Sequence, residues 1–226
     1  MGITARRIVM LLAACALAAP AAASAAGPEP STGGTAAPIG EPALIATPNV
    51  LEGSVARFRG TFPAPAAGGT VTIERFDASA GAWIAVASAL VASDGSYVAT
   101  WRADVTGRIR TRAQLDNGGG AVLAAAVPNE AYLTVYRPAI ASWYGPGVYG
   151  RTTACGVKLS RRLLGVAHRR LPCGTPVALT YGGRAITVPV VDRGPFRRGR
   201  RWDLTAATAR ALGFTVTDRI GAVRVG

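Results

Sequence analysis

Histidine is almost missing from this chain: among 226 residues there is one, His168. Cysteine is nearly as scarce, with Cys15, Cys155 and Cys173 only. No cluster of His and Cys at metal-ligand spacing can be assembled, which excludes the zinc-ribbon and zinc-finger classes, so no metal and no cofactor is expected. Lys158 is the only lysine among the 25 basic residues. After the first 25 residues no apolar run approaches the roughly 18 residues that a membrane-spanning helix requires. Acids are depleted from one half. From Ala139 to the end the acidic residues are Asp192, Asp203 and Asp218, set against fifteen Lys and Arg, whereas residues 26–138 carry eight Arg and nine acids.

The formal charge of +13 therefore belongs to the C-terminal part. A concentrated positive field raises the local concentration of polyanions, so that part is expected to meet something acidic (nucleic acid, anionic lipid or an anionic cell-wall polymer), although a composition bias toward arginine would give the same count. The amino terminus narrows the choice. Met1 to Arg7 reads as a basic n-region, Ile8 to Ala19 as an apolar h-region, and Ala23-Ser24-Ala25 as a small-residue cleavage site, the pattern of an export signal over residues 1–25. Leu12-Ala13-Ala14-Cys15 has the shape of a lipobox, the competing reading, in which Cys15 is acylated. Export predicts a location in a bacterial envelope, argues against nucleic acid as partner, and makes the pair Cys155 and Cys173 most simply a disulfide.

Residues 26–42 are rich in Gly, Pro, Ser and Thr and read as a flexible linker. Residues 43–137 carry short alternating runs at 54–62, 70–76, 83–90, 96–102, 107–115 and 132–136, separated by turn signals, which is the rhythm of a β-sandwich. A strand with one Trp (Ala82-Trp83-Ile84), an Asp94-Gly95-Ser96-Tyr97 turn and a second Trp strand (Thr100-Trp101-Arg102) loosely resemble bacterial Ig-like modules. That resemblance implies a spacer or adhesion role.

A different texture starts at Pro138 and Ala139. Short strands read at 140–144, 165–167, 176–181, 184–191 and 221–225, with Tyr181-Gly182-Gly183-Arg184 as a hairpin. One helix, LTAATARAL, ends at Gly213, with Asp203 or Thr205 as its N-cap. The expected class is all-β, a sandwich followed by a small closed barrel with one short helix.

The densest chemistry lies in ITVPVVDRGPFRRGRRWDLTAATARALG, residues 186–213, where Asp192 enters a Gly-Pro turn and Asp203 stands eleven residues on. Ala141-Ser142-Trp143-Tyr144-Gly145, Gly150-Arg151-Thr152-Thr153-Ala154, Val166-Ala167-His168, Leu171-Pro172-Cys173-Gly174-Thr175, Asp192-Arg193-Gly194-Pro195-Phe196 and Trp202-Asp203-Leu204-Thr205 follow in the order of the RlpA family. Residues 139–226 resemble its six-stranded double-psi β-barrel. The resemblance implies a lytic transglycosylase acting on peptidoglycan glycan strands. Related barrels in expansins loosen polysaccharide without cutting it, so a non-catalytic glycan-binding or wall-loosening protein is the alternative.

In a lytic transglycosylase the 6-hydroxyl of N-acetylmuramic acid is the nucleophile, so one carboxyl can act as acid and then as base. Asp192, matching the DRGPF aspartate, is the first candidate; otherwise it pins the turn through the Gly194 or Phe196 amides. His168 would position sugar or govern Asp192, or else is a satisfied barrel histidine. Asp203 is either the second carboxylate or a helix cap. Trp143, Tyr144, Arg193, Phe196 and Trp202 are the expected substrate contacts, with core packing as the competing reading for Trp143 and Trp202. The Thr-Ala block continues Cys155-Gly156-Val157 where RlpA relatives carry Asn-Gly-Glu, so Val157 replaces an acid and favours the non-catalytic alternative.

Overall fold

The computed structural model describes residues 43–63, 66–116 and 130–226. The export signal, Cys15, the linker and the Asn117 to Gly120 turn lie outside the described residues. Among the described residues no helix is long and apolar enough to cross a membrane.

The chain is all-β with one short helix. β1 (Ala43–Ala46), β2 (Asn49–Leu51), β3 (Val55–Thr61), β4 (Thr70–Asp77), β5 (Ala82–Leu90), β6 (Ser96–Arg102) and β7 (Gly107–Asp116) precede a 15-residue strand, β8 (Glu130–Tyr144). β1-β3-β6 form one sheet, while β5-β4-β7-β8 form another, with β2 beside β8. Alternation decides which side chains face inward: Ala56 and Phe58 on β3, Val71 and Ile73 on β4, and Tyr97, Ala99 and Trp101 on β6 are buried, and their neighbours along each strand are not. These residues, with Ile109, Leu133 and Val135, make one shared core between the two sheets.

A second core belongs to β9 (Val166–Ala167), β10 (Pro176–Tyr181), β11 (Arg184–Asp192), β12 (Trp202–Thr205), α1 (Ala206–Leu212) and β13 (Asp218–Arg224). With the C-terminal half of β8 the strands close a ring of six. β8 pairs parallel with β12, β12 antiparallel with β9, β9 parallel with β11, and β11, β10, β13 and β8 follow antiparallel. Val166, Val177, Leu179, Val188, Val190, Leu204 and Ile220 fill the interior. The alternation that reads as a strand over 184–191 is the inward set of β11.

Pro138 lies inside β8 opposite Gly221, where the strand passes from β7 and β2 to β13 and β12, and two local expectations beyond it need correction. A side chain at Gly221 would crowd its neighbours: an added Cβ would stand 2.6 Å from the Thr180 side chain, 2.8 Å from that of Leu51 and 2.8 Å from that of Tyr136. WDLT, expected as the approach to the helix, is strand β12. The N-cap of α1 is Thr205, whose hydroxyl accepts from the Thr208 amide and donates to the Leu163 carbonyl at 2.6 Å. Asp203 does not cap. Its register position on β12 leaves the carboxyl two residues short of the exposed helix amides. At the other end Gly213, at φ 70°, takes the left-handed turn that closes the helix.

Candidate functional site

The barrel strands bring separate motifs into one row. Asp203 is the register partner of Ser142 on β8 and of Ala167 on β9, and Ala167 in turn pairs with Asp192 on β11. Registered partners project to the same face, so Ser142, Asp203, Ala167 and Asp192 share one surface across four strands. Asp192 reaches that face through a bulge: the β9 pairing jumps from Val190 to Asp192, Val191 is left over and buried, and the carboxylate takes the place a regular ladder would give to valine. Ala167 between the two acids is small. It is buried, with the two acids as its register partners on either side.

Tyr144 follows Ser142 by two residues and faces the same way. Its hydroxyl is buried without a hydrogen bond of normal geometry. Burial first, and then the neighbouring carboxylates of Asp192 and Asp203, push the phenol pKa up. The hydroxyl is therefore within electrostatic reach of both acids.

The two carboxylates are held differently. Asp192 Oδ1 accepts the amides of Ala154 at 2.9 Å and Arg193 at 2.8 Å, which fixes its orientation; the turn contacts to Gly194 and Phe196 expected from the sequence are not the ones made. Gly194-Pro195 is a cis peptide bond. Asp203 is half-buried and accepts from Ser142 Oγ at 2.8 Å. Burial raises its pKa; the Ser142 hydrogen bond and the Arg200 charge oppose the shift, and the Asp192 charge adds to it.

The Ala154 amide is delivered by the loop between β8 and β9. Thr153 and Val157 close that loop through backbone hydrogen bonds, and Cys155 is disulfide-bonded to Cys173 with 5.7 Å between Cα atoms. Cys173 adjoins Gly174, whose amide donates to Val190 on β11. The disulfide thus joins the loop that clamps Asp192 to the strand that carries Asp192. Val157 is partly exposed on this loop.

His168 stands elsewhere. It is one residue beyond Ala167 and turns to the opposite side, with its ring 4.5 Å from that of Trp202. Its backbone amide donates to the Asp192 carbonyl, and its Nδ1 accepts from Leu171 N at 3.0 Å and Arg170 N at 3.3 Å. Burial, followed by the charges of Arg201, Arg193, Arg169 and Arg170, lowers its pKa.

The expected substrate contacts divide. Trp143 is 39% exposed and donates through Nε1 to the Thr215 carbonyl, beside a cavity of about 390 Å³ lined also by Tyr149, Ala206 and Phe214. Phe196 is 80% exposed. Trp202 is buried in the barrel core, with its ring against that of His168. Arg193 is occupied within the fold, donating to the carbonyls of Leu171 and His168. Sequence reasoning missed Ser142 and the Ala154 amide, and read Tyr144 as a stacking ring; period-two alternation from Ser142 to Tyr144 was the available signal. Among the described residues no group of three or more His, Cys, Asp or Glu could hold a metal.

Residues 138–226 match the family model described as lytic transglycolase. The chain is 51% identical over 76 residues to a probable endolytic peptidoglycan transglycosylase RlpA of Synechocystis, covering 33% of this chain and 24% of that protein. It is 46% identical over 80 residues to the Aquifex aeolicus protein of the same name (34% and 35% covered). It is 43% identical over 75 residues to the endolytic peptidoglycan transglycosylase RlpA of Campylobacter jejuni (32% and 27% covered). The chain spans a quarter to a third of the length of these relatives. The strand ring, the ordered motifs and these matches agree: residues 138–226 match the lytic transglycolase family model and are similar to the corresponding part of the RlpA transglycosylases.

Proposed function

We propose that this chain is an envelope protein that cleaves peptidoglycan glycan strands as a lytic transglycosylase, with residues 138–226 carrying the chemistry. The observation that carries the reading is the pair Asp192 and Asp203 on one barrel face, each in register with Ala167. The names of the similar proteins point to the same substrate.

In this reading Asp203 is the acid. Its raised pKa keeps a proton available nearer neutrality than an ordinary aspartate does, and Ser142 holds the other end of the carboxyl group in place. Asp203 gives its proton to the bridging oxygen as the bond from that oxygen to the muramic acid C1 breaks. The 6-hydroxyl oxygen of the same sugar forms the new bond to C1, and its proton passes to the Asp203 carboxylate, restoring the acid. No water is consumed, and the products are a 1,6-anhydro end and a free 4-hydroxyl. Asp192, oriented by two amides, steadies the positive charge that develops at C1. Trp143 and Phe196 are the exposed rings available for sugar contact. His168 acts as a positioning residue, since its amide holds the Asp192 carbonyl from the far side of the sheet.

We further infer that residues 43–137 are an Ig-like spacer that carries the barrel, supported by the two-sheet core and the buried Trp101, and that the protein works after export. A second reading, glycan binding without cleavage, is favoured by Val157, where an acid would stand in relatives, and by the occupation of Asp192 Oδ1 by amides.

Mass spectrometry of peptidoglycan incubated with the purified protein separates the two. Anhydro-muramyl ends that vanish with Asp203→Asn and Asp192→Asn while sedimentation with the wall persists are the expected result. Binding without any new end selects the second reading, and reducing ends would indicate a hydrolase instead.

A further inference from the structure

The side of the barrel opposite the carboxylates carries its own feature. Two adjoining cavities share His168 and Arg201. One, of about 390 Å³, is lined by His168, Arg169, Arg170, Gly199, Arg200 and Arg201. The other, of about 250 Å³, lies where the sandwich meets the barrel and adds Thr106, Arg137 and Arg224.

The arginines there fall into two sets. Arg169 and Arg193 are structural: Arg169 donates to the carbonyls of Pro195, Arg197 and Arg200, and Arg193 to those of His168 and Leu171, so the 168–171 and 193–201 loops are tied together before any ligand arrives. Arg137 is paired with Glu52, and Arg224 reaches the Gly226 carbonyl. Arg170 and Arg201 are exposed and make no side-chain hydrogen bond among the described residues. The four ion pairs of the described residues all lie between Glu52 and Arg137. Of the barrel acids, Asp203 feels the charge of Arg200 but forms no ion pair, Asp192 is held by the Ala154 and Arg193 amides, and Asp218 by Tyr181 and the Arg219 amide.

His168 completes the donor set. Because Nδ1 accepts two backbone amides, the proton of the neutral ring sits on Nε2, which can only donate. A neutral donor beside the Arg170 and Arg201 guanidinium groups, which make no ion pair among the described residues, is the arrangement that receives an oxyanion. Donors on two facing loops suit the three-dimensional acceptor set of phosphate better than a planar carboxylate.

We propose that the paired cavities around His168 and Arg201 bind successive phosphate groups of a linear polyanion. The site is separate from the carboxylate face and does not depend on glycan cleavage. Two cavities in line make a chain with a charge on each repeat a tighter ligand than free phosphate, because the second contact forms at high effective concentration.

Titration calorimetry on the whole chain, in about 0.1 M salt to screen long-range attraction, tests this with long-chain inorganic polyphosphate, inorganic phosphate and poly-L-glutamate. Arg170→Ala with Arg201→Ala is expected to weaken polyphosphate binding by about tenfold or more, since two charge-assisted contacts go. Arg184→Ala with Arg219→Ala removes the same charge elsewhere and is expected to leave the affinity within about twofold, as only the diffuse field changes. Polyglutamate and free phosphate are expected to bind more weakly than polyphosphate. Equal losses in the two double variants, or polyglutamate binding as tightly, would overturn the site in favour of a diffuse basic surface.

Discussion

Removing the disulfide by Cys155→Ala with Cys173→Ala tests whether the barrel depends on it and whether Asp192 does. The two cysteines are 18 residues apart. On the chain-entropy model, closing such a loop costs the unfolded chain about 3 kcal/mol of freedom at 25 °C, and that stabilisation is lost in the double variant. A domain of about 90 residues unfolds in urea with a slope near 1 kcal/mol per molar, so the barrel midpoint should fall by roughly 2–3 M. Tryptophan fluorescence reports it through buried Trp202. The Ala154 amide, next to Cys155, should also exchange with deuterium faster than in the wild type, because the loop carrying it has lost its tether while the Asp192 hydrogen bond remains its only side-chain anchor. A midpoint within about 0.5 M of wild type would refute the stability argument. Unchanged exchange at Ala154 would refute the link between the disulfide and the Asp192 clamp.

Two further outcomes follow from individual residues. Burial raises the Asp203 pKa above its unfolded value, so the folded chain holds that proton more tightly; the resulting stabilisation is complete below the unfolded pKa and is lost as pH rises through the folded one. Asp203→Asn, which keeps an acceptor for Ser142, removes this titration. Its urea midpoint should therefore gain on wild type between about pH 4 and pH 7, while glycan cleavage falls by roughly a hundredfold or more. A constant difference across that range would contradict the burial argument. Thr205→Ala strips the α1 cap and leaves the partly buried Leu163 carbonyl without its donor, costing about 2 kcal/mol in thermal unfolding, with Thr205→Ser restoring most of it. A loss below about 0.5 kcal/mol would show that the cap hydrogen bonds are replaced by water.

Much of the strand pattern was legible because alternation is a local property. The runs at 70–76, 96–102 and 176–181 stand almost where β4, β6 and β10 do. β1, β2 and β12 were not legible, since strands of three or four residues carry too few positions for a period to show. Asp203 illustrates the limit: aspartate before a helical run has the composition of a cap, and only the parallel pairing of β12 with β8 assigns that run to a strand and moves the cap to Thr205.

The sequence alone determined the charge asymmetry, the all-β class, the pairing of Cys155 with Cys173 and, through its ordered motifs, the likeness of residues 138–226 to RlpA proteins. These are properties of composition and of short segments. The tertiary structure decided the faces: which carboxylates stand together, that His168 and Trp202 turn away from them, and that Arg193 is spent on carbonyls while Arg201 stays free. Facing depends on register and on one extra residue at Val191, and a strand shifted by a single position presents the opposite set of side chains.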